Sequence, residues 1–163
     1  MPSEKSRKGM PETGDRAPDF EGMTQTGESV RLSDYRGKKV ALYFYPKDGT
    51  PGCTKQACNL RDEHEHLGRQ DIAVIGVSSD DVDSHKEFAD QHDLPFPLVA
   101  DPDRTILEMY GVWGEKNLYG RRSMATTRTT FLIDEEGIVR HVIKRPRVKV
   151  HAKEISAKFG SVD

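Results

Sequence analysis

Short apolar runs separated by turn residues predict the strands of this chain. Each run is of strand length, and the longer ones are rich in β-branched and aromatic residues. The predicted strands are 39–45 (KVALYFY), 72–78 (IAVIGVS), 97–100 (PLVA), 129–133 (TTFLI) and 138–143 (IVRHVI). The last two flank Asp134-Glu135-Glu136-Gly137, which is typical of a hairpin turn, and Gln25-Thr26-Gly27 predicts a smaller hairpin near the N-terminus.

The segments between these strands show the three- and four-residue periodicity of helices. From Cys53 to Leu67, apolar or small residues recur at steps of three and four, as on one face of a helix. Further helices are predicted over 83–93, around Ile106 and Leu107, and over 149–159. Helices alternating with strands, followed by a hairpin and a closing helix, indicate an α/β thioredoxin-like fold. We therefore expect a mixed central sheet with helices on both faces.

The length of the chain and its net charge limit the classes of function that this protein can have. The chain has 163 residues, which suits one domain, and we expect a flexible polar leader over 1–14 and a single domain over 15–163. A formal net charge of -2 provides no general attraction to nucleic acid or to an anionic membrane. No run reaches the roughly 20 apolar residues of a membrane span, and the leader lacks the apolar core of a secretory signal. A cytoplasmic location is the expectation.

The chain has only two cysteines, Cys53 and Cys58. A small secreted domain held together by disulfides would carry more, placed to close longer loops. Two thiols are half of a structural zinc site, and no CxxC or HExxH spacing completes one, so we expect no metal and no cofactor. A close pair of thiols in a reducing compartment favours redox chemistry.

Cys53 falls where the loop after a strand becomes a helix. Backbone N–H groups in the first turn of a helix lack partners, and the helix dipole is positive there, so a thiolate is stabilised. Thr50, three residues earlier, is placed to offer its hydroxyl to the sulfur or to a small substrate. The alternative is a structural cysteine packed under the helix start, because cysteine is among the most buried residue types.

Cys58 lies too far along the same helix to bond to Cys53 directly. Residues five apart in an α-helix differ by about 140° around the axis, and their Cα atoms are roughly 8.7 Å apart. A disulfide spans at most about 7 Å between Cα atoms. If the two cysteines pair, the first turns of the helix must unwind. Otherwise Cys58 is an idle surface thiol on a polar helix face.

The segment around Cys53 resembles a known family. Pro46, Thr50 and Cys53 form PxxxTxxC, which is similar to the active-site motif of peroxiredoxins. The CxxxxC spacing resembles the bacterioferritin comigratory protein branch, also called PrxQ. Further similar segments are GVWGEKNLYG at 111–120, RTTFLID at 128–134 and HAKEI at 151–155. One departure is Ala125-Thr126, where the family pattern has a glycine-containing step before the arginine.

This resemblance implies a role for each matching residue. Cys53 would be the peroxidatic thiolate, oxidised to sulfenic acid, and Cys58 the resolving thiol that closes a disulfide with it. Thr50 would orient the peroxide, and Pro46 would shield the pocket from water. Arg128 would stabilise the thiolate and the charge that develops on the departing oxygen; the alternative for Arg128 is a surface ion pair.

The resemblance also implies partners. The substrate would be a hydroperoxide, the reductant thioredoxin or a similar dithiol, and the protein a monomer, with a dimer as the alternative. Two other functions stay open from the residues: a general thiol–disulfide oxidoreductase of the same fold, and a chaperone or peroxide sensor without enzymatic turnover. Peroxide consumption compared with insulin reduction would distinguish the first alternative.

Overall fold

The computed structural model describes residues 9–118 and 120–160, with only the backbone described for 116–118 and 121. The strands are β1 (Glu21–Met23), β2 (Ser29–Arg31), β3 (Lys39–Phe44), β4 (Ile72–Ser78), β5 (Leu98–Ala100), β6 (Trp113–Leu118), β7 (Arg121–Thr126), β8 (Thr129–Ile133) and β9 (Val139–Ile143). The helices are α1 (Pro51–Asp62), α2 (His64–Arg69), α3 (Val82–His92), α4 (Thr105–Met109) and α5 (His151–Gly160), and a 3-10 helix covers Leu32–Tyr35.

Five strands form the central sheet in the order β5-β4-β3-β8-β9. Strand β4 is parallel to both β3 and β5, whereas β8 runs antiparallel to both β3 and β9. The sheet is therefore mixed, as predicted. Strand β3 lies at its centre, and the loop that leaves the end of β3 leads directly to Cys53 and α1.

Alternation along β3 divides the core into two layers. Ala41 and Tyr43 face a cluster that includes side chains of α1, α2, α3 and α5. Val40 and Leu42 face the other cluster, which contains Ile106 of α4 and residues from the N-terminal part of the chain. Because successive strand side chains point to opposite faces, one buried strand can serve both layers. Helices thus cover both faces of the sheet, which confirms the predicted thioredoxin-like architecture.

Two local predictions need correction. The helical pattern from Cys53 to Leu67 is divided at Glu63, which has φ -104° and ψ 11° and separates α1 from α2. The antiparallel hairpin of β6 and β7 was not predicted, because its strands are largely polar and show no apolar alternation. This hairpin matters for function, since β7 leads into Arg128.

The predicted leader, 1–14, is described only from Gly9 onward. Met10 packs against the second core cluster, Pro11 is buried, and the Gly14 N–H donates to the Val139 carbonyl at 2.8 Å. Among the described residues of this segment, Met10, Pro11 and Gly14 therefore contact the rest of the domain.

Gly76 in β4 provides a test of this packing. A Cβ at this position would lie 2.9 Å from Leu98 Cδ2 and 3.0 Å from the Tyr43 ring. We expect Gly76→Ala to lower the free energy of unfolding by about 1–3 kcal/mol, because extra volume in a filled core forces neighbours off their rotamers. Urea unfolding would measure the change.

The control for this prediction is Gly68→Ala in α2, where a Cβ would meet nothing within 4 Å. Alanine in a helix interior is favoured over glycine by roughly 0.5–1 kcal/mol, so this variant should be neutral or stabilised. Equal unfolding free energies for wild type and Gly76→Ala would contradict the packing described.

Candidate active site

Cys53 is the third residue of α1. Thr50 is the residue before the helix, and Pro51 occupies its first turn, where the missing N–H costs no hydrogen bond. Because Thr50 is extended and Pro51 is the first helical residue, the helix begins two residues before Cys53. The Cys53 side chain is only 1% exposed. The sulfur therefore lies at the positive end of a helix dipole and is nearly shielded from bulk water.

Arg128 reaches Cys53 from the short segment between β7 and β8, and β8 pairs with β3. Its Nη2 donates to Cys53 Sγ at 3.4 Å, and its Nη1 donates to Gln56 Oε1 at 2.6 Å. Because a guanidinium is always charged, it favours the thiolate form of the sulfur. The structure thus brings Cys53 and Arg128 together, whereas a surface ion pair of Arg128 was the alternative.

Gln56 is a site residue that the sequence analysis missed. It is fully buried, and it holds the Arg128 guanidinium in the orientation that points at the sulfur. The available signal was its position three residues after Cys53, which places both side chains on one helix face. An amide on the face that packs into the core is unusual enough to indicate a function.

Two buried polar groups in this region have no hydrogen-bond partner among the described residues, the Tyr43 hydroxyl and Gln56 Nε2. Tyr43 belongs to the same core cluster as Cys53 and stacks on Tyr45 at 5.3 Å between ring centroids. Burial raises the pKa of Tyr43 well above its usual value, and the charge of Cys53 raises it further. The hydroxyl therefore keeps its proton and remains a hydrogen-bond donor.

Thr50 and Pro46 lie in the segment between β3 and α1 that precedes Cys53. The Thr50 hydroxyl is half-buried and donates to the Lys47 carbonyl at 3.0 Å, which leaves its oxygen lone pairs to accept a hydrogen bond. Pro46 follows β3 after one residue and is exposed. In this structure the Thr50 hydroxyl thus donates to the Lys47 carbonyl and not to the sulfur.

A buried polar network holds the loop that carries these residues. Asp48 accepts from Tyr45 Oη at 2.6 Å, from Ser84 Oγ at 2.8 Å, and lies 2.7 Å from His85 Nδ1. His85 Nε2 lies 3.0 Å from the Val99 carbonyl, which can only accept, so Nε2 carries a proton. The network ties the active-site loop to the first turns of α3.

Asp48, Asp80 and His85 also bring one potential metal-ligand atom each within 4.8 Å of one another. The same atoms are used by hydrogen bonds: Asp80 Oδ2 accepts from the Asp48 N–H at 2.8 Å and from Ser78 Oγ at 2.6 Å. Short contacts that already satisfy these groups explain the cluster without an ion. We therefore assign it to anchoring the loop.

His151 is the first residue of α5 and lies close enough to Arg128 to be affected by its charge. Its ring is fully buried, with Nδ1 2.9 Å from Glu154 Oε1 and Nε2 2.8 Å from Thr130 Oγ1. A carboxylate accepts, so Nδ1 donates, and the Thr130 hydroxyl can donate to Nε2 of a neutral ring. Burial lowers the pKa of His151, opposed by Glu154 and supported by the positive charge of Arg128.

This environment predicts a stability change with pH. The pKa of His151 is lower in the folded chain than in the unfolded one, where it is about 6.5, so the unfolded chain binds more protons just below that value. The free energy of unfolding should therefore fall as pH drops below about 6.5. Denaturant unfolding from pH 8 to pH 5 should show a weaker decline in His151→Gln than in wild type, with exposed His66→Gln as control. Identical pH dependence in all three proteins would contradict the prediction.

Cys58 lies on the same unbroken helix as Cys53, and both cysteines are free. It is half-buried, and its sulfur lies 3.8 Å from His92 Nδ1 at the end of α3. The predicted helix between the two cysteines is therefore confirmed, and the thiol is less exposed than an idle surface residue would be. Helix α1 holds the two cysteine side chains on different sides of its axis.

A buried cysteine at a helix start, paired with an arginine on a thioredoxin-like fold, defines a thiol-based redox enzyme. The family model described as "AhpC/TSA family" matches residues 13–142. The chain belongs to this family and, within it, to the peroxiredoxins of the Bcp and PrxQ branch, which are thiol peroxidases.

Individual relatives agree with this assignment. The chain is 46% identical over 143 residues to peroxiredoxin Bcp of Bacillus subtilis, covering 88% of this chain and 91% of the relative. It is 44% identical over 129 residues to peroxiredoxin Bcp of Escherichia coli, covering 79% and 83%. The crystal structure of peroxidoxin BcpB from Mycobacterium tuberculosis superposes with a TM-score of 0.83 at 35% identity, covering 94% of this chain and 99% of the other.

Within the described residues, no helix has both the length and the apolar character needed to cross a membrane.

Proposed function

We propose that Cys53 reduces hydroperoxides by direct attack of its thiolate. The sulfur takes the terminal peroxide oxygen, the O–O bond breaks, and the departing oxygen leaves as water or an alcohol after taking up a proton. Cys53 becomes a sulfenic acid. The observation that carries this proposal is the 3.4 Å contact between Arg128 Nη2 and Cys53 Sγ at the start of α1. A permanent positive charge beside the sulfur supports the proposal, because it would stabilise both the thiolate and the oxygen that departs.

Thr50 and Pro46 complete the proposed substrate site. The Thr50 oxygen, with its own proton committed to Lys47, accepts a hydrogen bond from the protonated end of the peroxide. This contact would orient the O–O bond toward the sulfur. The exposed ring of Pro46 would cover the substrate from the solvent side, which would slow the access of water.

Cys58 is the proposed resolving thiol. Its thiolate attacks the Cys53 sulfenic acid, the S–S bond forms, and the sulfenic oxygen leaves as water. An intact α1 keeps the two sulfurs apart, since residues five apart have Cα atoms roughly 8.7 Å apart and a disulfide spans at most about 7 Å. The helix must therefore unwind locally, and this also presents the disulfide to a reductant.

Thioredoxin or a similar dithiol is the proposed reductant, acting on a cytoplasmic monomer. The decisive experiment follows NADPH oxidation with purified thioredoxin and thioredoxin reductase, using hydrogen peroxide and an organic hydroperoxide in turn. We expect peroxide-dependent oxidation that requires this protein. If the protein reduces insulin disulfides rapidly but consumes no peroxide, it is a general thiol–disulfide oxidoreductase instead.

Hydrogen exchange tests the proposed unwinding. In the reduced protein the 54–62 amides should exchange slowly, because α1 is intact, and after oxidation they should exchange much faster. The amides of β3 and β4 should change little. Exchange of both redox forms, followed by mass spectrometry, measures the difference.

Cys58→Ser is the matched control, because it removes the partner thiol but leaves the helix sequence otherwise unchanged. Peroxide should not accelerate exchange over 54–62 in this variant. Equal protection in reduced and oxidised wild type, with the Cys53–Cys58 bond confirmed by mass, would refute the unwinding step.

A further inference from the structure

The thiol of Cys58 has a basic side chain directly beside it. Cys58 Sγ lies 3.8 Å from His92 Nδ1, which is within the contact range of sulfur hydrogen bonds. His92 is the last residue of α3 and is separated from Cys58 by 34 positions in the chain. When its proton is on Nε2, the Nδ1 lone pair is free to accept the thiol proton.

The position of His92 is determined by two further contacts. Its ring packs edge-on against Phe88, with 5.2 Å between ring centroids, and its backbone carbonyl accepts from Arg61 Nη1 at 2.9 Å. Arg61 lies one helical turn after Cys58 on α1. The same arginine therefore ties the end of α3 to the helix that carries the thiol, and keeps the imidazole beside the sulfur.

Arg61 brings a permanent positive charge close to Cys58. Arg61 is paired with Asp62, with 2.9 Å between Nη2 and Oδ1. The hydrogen bond with Asp62 raises the pKa of Arg61, and the charges of Cys58 and Asp93 raise it further. Two carboxylates, on Asp62 and Asp93, also interact with this guanidinium, so the charged groups near the Cys58–His92 contact include one cation and two anions.

We propose that His92 is the catalytic base of the resolving step. This inference rests on the proposed role of Cys58 as resolving thiol. Nδ1 of His92 takes the Cys58 proton while α1 is still intact, and unwinding then carries the thiolate to the Cys53 sulfenic acid. The S–S bond forms as the S–O bond breaks, and the hydroxide that leaves takes a proton to become water. The proton that His92 accepted balances the one consumed. Each cysteine then has its own activating group, Arg128 for Cys53 and His92 for Cys58.

Single-turnover kinetics test this assignment in His92→Phe and His92→Gln. Phenylalanine preserves the edge contact with Phe88, glutamine preserves a polar side chain, and neither accepts a proton. After one equivalent of peroxide, rapid quenching and mass spectrometry would follow sulfenic acid and disulfide separately. We expect sulfenic acid to form at the wild-type rate, and the disulfide to form about 10- to 100-fold more slowly, toward the low end of general-base contributions.

The pH profile provides a readout that a structural role would not change. A general base acts only in its unprotonated form, so the wild-type disulfide rate should rise with pH in step with the loss of the His92 proton. In both variants this rise should be absent, and the disulfide rate should increase only at the higher pH where the thiol ionises without a base. His66→Phe, at an exposed histidine of α2, should behave as wild type.

Three results separate the possible failures. If both His92 variants form disulfide at the wild-type rate with the wild-type pH profile, His92 is not the base. If they slow sulfenic acid and disulfide formation equally, His92 has a structural role, which also overturns the proposal. If Cys58→Ser retains full thioredoxin-linked turnover, the resolving role of Cys58 itself is wrong, and the inference about His92 falls with it.

Discussion

Cys53→Ser should abolish peroxide reduction completely, including the first turnover. A serine hydroxyl is not ionised at neutral pH and cannot be oxidised to the sulfenic level, so neither attack nor electron transfer can occur. The buried site at the start of α1 should accept serine without losing the fold, since the two side chains differ by one atom. Peroxide consumption under single-turnover conditions, with circular dichroism as a check on folding, measures the effect.

Cys58→Ser is the matched control for this prediction. It alters the same helix by the same atom, yet it should retain a stoichiometric reaction with peroxide and lose efficient thioredoxin-linked turnover. This difference separates the attacking thiol from the resolving one. The assignment would be wrong if Cys58→Ser also lost the first turnover, or if Cys53→Ser retained it.

Arg128→Met should slow oxidation of Cys53 by about 10²–10³, comparable to the loss of one donor from an oxyanion hole. Methionine fills similar space but carries neither the charge nor the two N–H donors that reach Cys53 Sγ and Gln56 Oε1. Without the guanidinium, ionisation of the Cys53 thiol should become less favourable. The negative charge that develops on the departing oxygen should also lose its stabilising partner. Stopped-flow oxidation rates and the ultraviolet absorbance of the thiolate across pH measure the two effects separately.

Two further variants make this result specific. Arg128→Lys keeps the charge but loses the planar fork, so it should recover only part of the rate. Arg122→Met removes an exposed arginine of β7 whose nearest carboxylate, on Glu115, is 3.9 Å away, and it should leave oxidation unchanged. If Arg128→Met has the oxidation rate and the thiolate titration of wild type, Arg128 has only a structural role.

Gln56 should influence the same step through Arg128. Gln56 Oε1 accepts a hydrogen bond from Arg128 Nη1 at 2.6 Å, and Arg128 Nη2 remains directed at Cys53 Sγ. The residue is thus a positioning residue, and its burial explains why an amide is kept on the core-facing side of α1. The active site is better described as Cys53, Arg128 and Gln56 together than as a cysteine with one neighbouring cation.

Local pattern was sufficient to predict much of this protein from its sequence. The strands over 39–45 and 72–78 are confirmed because an unbroken apolar run in a buried parallel sheet has few alternative structures. Cys53 was placed at the first turn of a helix because the three- and four-residue periodicity begins at this residue, directly after the loop that follows the strand over 39–45. These features depend only on neighbours along the chain.

The predictions failed where the pattern was weak. The break at Glu63 has no proline or glycine to signal it, so α1 and α2 were predicted as one helix. The hairpin of β6 and β7 is largely polar, so its strands have no apolar alternation to reveal them.

Sequence alone therefore determined the fold class, the helix start at Cys53 and the separation of the two thiols along one helix. Tertiary structure decided which side chains surround each thiol. Arg128 contacts Cys53 across 75 positions, His85 contacts Asp48 across 37, and His92 contacts Cys58 across 34. The physical reason is that helix and strand periodicity are set by local backbone geometry, whereas these contacts arise only when the sheet and its covering helices pack together.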